Sequence, residues 1–324
     1  MSAPSTPPHD GANHAAAPHA NPQRSAIEAG VTRYVGRFAP SPTGPLHLGS
    51  LVAALASYLD ARAYHGEWHL RIEDVDETRC HVEHTDSILR TLEACGLEWD
   101  GPVVTQSSRK ARYAEALDAL RAQQRLYACV CSRREIADSA INGIDGPVYP
   151  GTCRTAAHPG PGNALRFKIE DAQIDFHDRL QGIQSQNLAR DIGDFVVRRR
   201  DGLAAYQLAV VVDDADLRVT HVVRGADLLD STARQIAIQR ALGVTTPAYL
   251  HVPVLVNTEG QKLSKQTLAP AIDPQNPLPA LQQALAFLIQ PLGKGAGSAT
   301  ELLGMAIGQW NPQLVPKTRH LSLD

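Results

Sequence analysis

The sequence lacks any apolar run near the roughly 18 residues that a membrane-spanning helix requires. Its N-terminus also lacks the basic and then apolar layout of a secretory signal peptide. Its five cysteines are an odd number for a disulfide framework in a chain of 324 residues, which favours a reducing compartment. We therefore expect a cytoplasmic protein with no membrane partner.

An excess of positive charge is missing too. The net charge of −3 gives no support to a generic basic nucleic-acid binder, so any such contact must be local. Large apolar side chains are almost absent from residues 1–30, which are rich in Ala, Pro, His, Ser and Asn. Such a segment cannot bury enough surface to offset its ordering entropy, so we expect a disordered tail there.

From Arg33 onward the hydrophobic pattern predicts an α/β fold. YVGRFA reads as a strand, the segment after Leu48 has helical spacing, and WHLRIED reads as the next strand. This order implies a parallel sheet with crossover helices. Between residues 164 and 224 the apolar runs, AAYQLAVVVDD among them, all read as strand-like. Two further helices are predicted near 277–289 and 298–310.

The same pattern divides the chain into segments. Around residue 126 the strand–helix alternation breaks, and it returns near residue 163. The expected segments are a tail (1–30), the first half of a Rossmann-like domain (31–125), an inserted module (126–162), the second half (163–270) and a short C-terminal helical segment (271–324).

A strand-to-helix junction, PSPTGPLHLGS at 40–50, is the first candidate site. Free backbone N–H groups at a helix N-terminus favour an anion such as a nucleotide phosphate. Gly44 and Gly49 would let a ligand approach the backbone, and His47 could donate a hydrogen bond to it. Read alone, the stretch could equally be a connecting turn.

A loop with two lysines, KLSKQ at 262–266, is the second candidate. Lys262 and Lys265 could swing over a polyphosphate, although a solvated surface loop is the simpler interpretation of these residues alone. Together, however, RFAPSPTGPLHLGS and KLSKQ resemble the HIGH and KMSKS signatures of class I aminoacyl-tRNA synthetases. The residue pattern of the first motif resembles that of the glutamyl branch of these synthetases. The resemblance continues through RIEDVDETR, DFVVRRRDGLAAYQLAVVVDD and HVPVLVNTEGQ. It covers residues 33 to about 270 and implies a class I synthetase fold with an inserted zinc-binding subdomain.

Ser50 stands where the HIGH signature has its second histidine, which suggests an altered phosphate contact. A second departure identifies the subfamily, because only 58 residues follow Gln266, too few for the large helical anticodon-binding region of ordinary glutamyl-tRNA synthetases. The chain is therefore similar to truncated paralogues that activate L-glutamate with ATP and transfer it to queuosine in the anticodon loop of tRNA(Asp). The partners implied are ATP, L-glutamate and tRNA(Asp) carrying queuosine, and we expect a monomer. Glutamylation of a tRNA 3′ end and a non-catalytic tRNA-binding paralogue are the alternatives.

The resemblance also implies the roles of individual residues. A substrate carboxylate is matched by arginine, and Glu73 would pair with the substrate ammonium. From the residues alone, Arg37 and Glu73 could instead form a structural ion pair, and Tyr206 could be core. The implied catalytic residues are His47, Lys262 and Lys265; the ATP site adds Gly49 and Ser50; the glutamate site comprises Arg37, Phe38, Ala39, Pro40, Ser41, Glu73, Tyr206 and Arg224. Mg²⁺ is expected to accompany ATP.

Three cysteines in the inserted module predict a metal site. Cys129 and Cys131 form a C-x-C pair, and Cys153 follows 22 residues later, a pattern suggestive of tetrahedral zinc with a structural role. From the residues alone the fourth ligand could be His158. The resemblance points to Tyr149 instead. The alternative is three small buried hydrophobic side chains.

Overall fold

The computed structural model describes residues 33–139, 142–144, 146–156, 158, 160, 162–170, 173–257, 259–262, 270–293 and 295–322. The predicted tail at 1–30 and Lys265 lie outside these residues. In the described part of the chain no helix combines the length and the apolar character needed to cross a membrane.

Helices and strands alternate along most of the chain. The α-helices are α1 (Leu48–Ala63), α2 (Val82–Ala94), α3 (Lys110–Ala122), α4 (Arg133–Ser139), α5 (Leu188–Asp191), α6 (Tyr206–Asp216), α7 (Thr232–Leu242), α8 (Leu278–Phe287) and α9 (Ala299–Gln309). The strands are β1 (Val35–Phe38), β2 (Glu67–Ile72), β3 (Val104–Thr105), β4 (Leu126–Cys129), β5 (Asn142–Gly143), β6 (Gly146–Pro147), β7 (Ala164–Phe167), β8 (Gln173–Asp178), β9 (Gly182–Asn187), β10 (Phe195–Arg198), β11 (His221–Gly225), β12 (Ala248–Val252), β13 (Val254–Val256) and β14 (His320–Ser322). Short 3₁₀ helices span Gln106–Arg109, Ala226–Ser231 and Pro312–Leu314.

The parallel strands form two groups that meet at Thr220. One group has the order β1-β2-β3, and the other has β11-β12-β8-β9 with β9 antiparallel. The Thr220 N–H donates to the carbonyl of Val35 at 2.9 Å, and the Val35 N–H donates to Thr220 Oγ1 at 2.8 Å. The prediction of an α/β fold with a parallel sheet is confirmed.

One strand prediction is wrong. The valine-rich run that reads as a strand forms α6, which spans Tyr206–Asp216. Valine favours strands because its branched side chain fits a pleated surface. Here Leu208, Val211 and Val212 recur at helical spacing and are buried in one hydrophobic cluster. Tertiary packing of that face therefore decides the structure against the local propensity.

The rest of the chain flanks this sheet. Strands β10-β7-β4 form an antiparallel sheet that carries the cysteine segment at one end, since β4 ends at Cys129. The two helices predicted near the C-terminus are confirmed as α8 and α9. Beyond them Trp310 Nε1 donates to the buried carboxylate of Asp60 at 2.9 Å, and Arg179 and Tyr34 donate to the same carboxylate. This carboxylate thus joins the C-terminal segment to α1 and to Tyr34, the residue that precedes β1.

Candidate functional site

A cleft of about 720 Å³ lies where the parallel strands end. Phe38 ends β1, Glu73 follows β2, Gly225 ends β11 and Val252 ends β12, and all four line the cleft. Ligands of open α/β sheets bind at this carboxyl edge. The cleft also contains every described residue that the sequence predicts for the ATP and glutamate sites: Arg37, Phe38, Ala39, Pro40, Ser41, His47, Gly49, Ser50, Glu73, Tyr206, Arg224 and Lys262.

His47 and Ser50 form a pair at the N-terminus of α1. His47 is the N-cap residue, and its Nδ1 accepts from the Ser50 N–H at 3.3 Å. Because Nδ1 accepts, the ring proton lies on Nε2, which donates to Ser50 Oγ at 3.1 Å. The Ile272 N–H donates to the carbonyl of Leu46 at 3.0 Å and braces this turn. The helix terminus therefore presents backbone N–H groups to an anion, and an anion that replaces Ser50 Oγ would also accept the Nε2 proton of His47.

A chain of alternating charges underlies the cleft, and it connects Arg37 to Glu73. Arg71, fully buried, donates to Asp214 at 2.5 Å and to Glu73 at 3.1 Å. Arg37 donates to the same oxygen of Asp214 at 3.3 Å. Burial alone would raise the pKa of Asp214, but the guanidinium groups of Arg71 and Arg37 lower it. For Glu73 burial prevails, and its pKa is raised despite Arg71. The predicted glutamate-binding groups are thus held in place by residues that do not line the cleft.

Sequence reasoning missed Arg71, Asp213 and Asp214. Asp213 accepts hydrogen bonds from Arg109 at 2.6 Å, from Gln106 at 2.7 Å and from Tyr113 at 2.9 Å, and its carboxylate is fully buried. Charged side chains are rarely buried unless they are paired, and pairs distant in sequence leave no local pattern. The feature of the sequence that could have indicated these buried charges is the pair of adjacent aspartates, Asp213 and Asp214, inside an apolar run.

Arg224 reaches the cleft from β11. Its Nε donates to His251 Nε2 at 2.9 Å, and its Nη2 donates to Thr232 Oγ1 at 3.0 Å. Arg224 is 5 % exposed, and its Nη1 is buried with no hydrogen-bond partner among the described residues. Buried polar groups are nearly always paired, so this nitrogen is a donor that a ligand in the cleft could satisfy.

Tyr206 is the first residue of α6 and forms part of the cleft wall. Burial and the nearby Glu73 carboxylate raise the pKa of Tyr206 to about 12. The phenol is therefore protonated at neutral pH and can donate a hydrogen bond to a ligand in the cleft.

Lys262 forms an ion pair with Asp227 at the rim of the cleft. Their side chains are 52 % and 33 % exposed. An exposed pair of this kind contributes at most about 1 kcal/mol. Lys262 can consequently leave Asp227 for a phosphate group at little cost.

The three cysteines of the predicted metal site are brought together. The sulfur atoms of Cys129, Cys131 and Cys153 lie within 4.8 Å of one another, and no histidine among the described residues joins the group. The hydroxyl of Tyr149 lies 3.4 Å from Cys129 Sγ and 3.7 Å from Cys131 Sγ. Ligand atoms on a tetrahedron with bonds of about 2.3 Å lie about 3.8 Å apart, so the cluster fits a tetrahedral ion.

Arg166 contacts two members of this cluster, Tyr149 and Cys129. Its guanidinium lies 3.6 Å from the centre of the Tyr149 ring, and its Nε donates to Cys129 Sγ at 3.2 Å. Burial raises the pKa of the Cys129 thiol, but its hydrogen bonds with Tyr149 and Arg166 outweigh this effect and bring the pKa to about 7. A thiol of this kind ionises readily, and a thiolate is the form that binds metals.

Comparisons with known proteins agree with this geometry. Residues 34–276 match the family of class I tRNA synthetases (E and Q), catalytic domain. The glutamyl-Q tRNA(Asp) synthetase of Chromobacterium violaceum is 55 % identical over 87 % of this chain and 95 % of its own length. That of Burkholderia mallei is 53 % identical over 89 % of this chain and all of its own.

A solved structure shows the same fold. The glutamate–tRNA synthetase of Elizabethkingia anophelis superposes with a TM-score of 0.73 at 25 % identity, over 90 % of this chain and 68 % of its own. With the matches above, this likeness identifies the parallel sheet as that of a class I synthetase. The chain therefore belongs to the glutamyl-Q tRNA(Asp) synthetases, ligases built on the class I glutamyl- and glutaminyl-tRNA synthetase catalytic domain.

Proposed function

We propose that this enzyme activates L-glutamate with ATP and transfers it to queuosine in the anticodon loop of tRNA(Asp). The names of the similar curated proteins support the acceptor. The observation that carries the proposal is that one cleft joins two kinds of site. The N-terminus of α1 with its N-cap His47 lines this cleft, and so do the charged residues Arg37, Glu73 and Arg224.

In the first step an oxygen of the glutamate α-carboxylate attacks the α-phosphorus of ATP. The bond to the β-phosphate breaks, and pyrophosphate leaves with its electrons. This reaction needs alignment and charge neutralisation more than proton transfer. His47 and the N-terminal N–H groups of α1 would hold the phosphates, while Lys262, with Lys265, would stabilise the charge on pyrophosphate.

Recognition of glutamate follows from the charges in the pocket. The two arginines offer guanidinium groups to its carboxylates, Glu73 offers a carboxylate to its ammonium, and Tyr206 offers a phenol hydrogen bond. Ser41 and the backbone of 37–41 close the pocket. Because Arg37 and Glu73 are joined through Arg71 and Asp214, their spacing is set before the substrate arrives.

In the second step a hydroxyl oxygen of the queuosine cyclopentene ring attacks the carbonyl carbon of glutamyl-adenylate. An ester bond forms, AMP leaves, and the hydroxyl proton is released. Mg²⁺ bound with ATP supplies further neutralisation of the phosphate charges. Glu73 and Asp227 are the acidic residues that line the described cleft, so the ion would be held mainly by ATP itself.

A structural zinc ion is part of the proposal. Cys129, Cys131 and Cys153 would be its thiolate ligands, and the Tyr149 hydroxyl would be the fourth. Burial raises the pKa of Tyr149, so a phenolate there requires the charge of the metal. The fit of these four atoms to a tetrahedron favours Tyr149 over His158, which stands outside the cysteine group.

The acceptor is tested by charging tRNA(Asp) with labelled glutamate and cutting the product with a nuclease. We expect the label in the anticodon-loop fragment, and none in tRNA(Asp) that carries guanosine in place of queuosine. Label on the 3′ adenosine would replace this proposal with 3′-end glutamylation. Glutamate-dependent ATP–pyrophosphate exchange separately distinguishes an enzyme from a tRNA-binding protein, which would show no exchange.

A further inference from the structure

Three buried polar side chains stand side by side on adjacent strands beneath the cleft. Asp178 ends β8, His251 lies in β12 and Arg224 lies in β11, and β12 is the strand between the other two. Arg224 is paired in register with His251. Residues paired across neighbouring strands project to the same face of a sheet, so the guanidinium and the imidazole meet. Asp178 and His251 are fully buried.

The hydrogen bonds fix the state of this histidine. Arg224 Nε can only donate, so His251 Nε2 accepts and carries no proton. The ring proton is then on Nδ1, which donates to Asp178 Oδ2 at 2.6 Å. The other oxygen of Asp178 accepts from the backbone N–H groups of Leu180 at 3.0 Å and Gln181 at 2.8 Å. The imidazole is thus a neutral acceptor of fixed orientation.

The guanidinium of Arg224 is fastened on two sides. His251 holds Nε, while Thr232, the first residue of α7, and the carbonyl of Leu228 hold Nη2 at 3.0 Å and 3.3 Å. The third nitrogen, Nη1, has no partner in the described part of the chain, although it is buried. An unsatisfied buried donor costs about 1–3 kcal/mol. Arg224 lines the cleft, so Nη1 is the nitrogen of this guanidinium that is left for a ligand bound there.

We infer that His251, held by Asp178, is a positioning residue that orients Arg224 so that its Nη1 meets a carboxylate of bound glutamate. The inference rests on the proposed function, because it takes glutamate as the ligand. His251 does not itself line the cleft. Its removal would leave the charge of Arg224 in place but would let the guanidinium turn away from the substrate.

The test compares two substitutions of His251. In His251→Gln the amide oxygen can take the place of Nε2 and accept from Arg224, whereas His251→Leu offers no acceptor. The matched control is His221→Leu, because His221 lies three residues before Arg224 on β11 and therefore points to the opposite face. Exchange kinetics give the KM values for glutamate and ATP, and calorimetry gives the Kd for glutamate.

We expect His251→Leu to raise the glutamate KM and Kd by about tenfold or more, with the ATP KM nearly unchanged. His251→Gln should recover most of the affinity, and His221→Leu should keep it. If leucine prevents folding, Thr232→Val removes the shorter of the two hydrogen bonds that hold Nη2 and leaves the one to the Leu228 carbonyl, so it should raise the glutamate Kd with the same selectivity but to a smaller extent.

Unchanged glutamate affinity in His251→Leu, or an equal rise in both KM values, overturns the inference. So does a failure of His251→Gln to recover affinity. A native protein that binds no glutamate overturns both the inference and the proposed function. A native protein that binds glutamate but labels no tRNA defeats only the proposed function, and the effect of His251→Leu on the glutamate Kd then still decides the inference.

Discussion

Arg71 donates through Nη2 to Glu73 Oε1 at 3.1 Å, and its side chain has no solvent exposure. The same guanidinium donates to Asp214, which also accepts from Arg37. A residue absent from the cleft wall therefore sets the distance between a cationic and an anionic group that line it. The substrate has to match that spacing, so the network favours a ligand with both an ammonium and a carboxylate.

Because of this network, we expect substitutions of two aspartates of α6 to have very different effects on the stability of the protein. Asp214→Asn removes the carboxylate that pairs with Arg71 and Arg37, so two buried cations lose a partner. We expect the free energy of unfolding to fall by about 3–5 kcal/mol. Asp216→Asn is the matched control, because Asp216 is 29 % exposed and binds Arg109 and Arg112 near the surface. Its loss should stay within about 1 kcal/mol in urea unfolding. Equal losses would mean that the buried network contributes no special stability.

The cleft residues in the described part of the chain could be predicted from the sequence because the motifs that resemble those of class I synthetases are short, continuous stretches. Arg37, His47 and Ser50 lie within 14 residues of one another, on one strand, one turn and one helix start. The supporting residues could not be predicted in this way. Asp214 meets Arg37 across 177 residues, and His251 meets Asp178 across 73. A single histidine in an apolar strand reads as core, and only the strand register shows that it faces an arginine.

The same dependence on residues distant in sequence explains why α6 was predicted as a strand. Its valines predict a strand, and nothing local opposes that interpretation. The helix is favoured because Leu208, Val211 and Val212 can then share one buried face, and because Asp213 and Asp214 then reach Arg109 and Arg71. These partners belong to distant segments, so their effect on the helix is invisible in the run itself.

His47 and Ser50 are expected to differ in importance. His47→Ala removes the N-cap acceptor of α1 and, under the proposed function, a donor for the phosphates. We expect ATP–pyrophosphate exchange to fall on the order of 10²-fold. Ser50→Ala removes one neutral hydrogen bond to the imidazole and should reduce exchange by less than about tenfold. Initial rates at saturating ATP and glutamate measure both variants. Equal losses would show that the imidazole contributes no more to activation than the Ser50 hydroxyl does.

The metal proposal predicts the zinc content of the purified protein. We expect one zinc ion per chain by mass spectrometry, and its loss in Cys131→Ser. Cys95→Ser is the matched control, since Cys95 is buried in the hydrophobic core and stands outside the cysteine group. Tyr149→Phe should weaken zinc binding without abolishing it, because three thiolates remain. Unaltered zinc retention in Cys131→Ser, or loss of zinc in His158→Ala, would contradict this ligand set.

We expect His221 to make the folded protein less stable in mild acid. Its ring stacks on Tyr34 with centroids 4.0 Å apart, and burial followed by the charge of Arg179 lowers its pKa to about 4, while Asp60 opposes this shift. In the unfolded chain the pKa is near 6.5. Between these values the unfolded state binds a proton that the folded state does not, so stability falls as the pH falls from about 6.5 to 4.

The substitution His221→Phe isolates this contribution, because phenylalanine can keep the stacking on Tyr34 but cannot take up a proton. We expect the native protein to lose about 2 kcal/mol more than the variant between pH 7.5 and pH 5. Urea unfolding of both proteins at the two pH values measures the difference, and changes in other titrating groups cancel between them. Parallel pH profiles would show that His221 ionises in the folded protein as freely as in the unfolded chain.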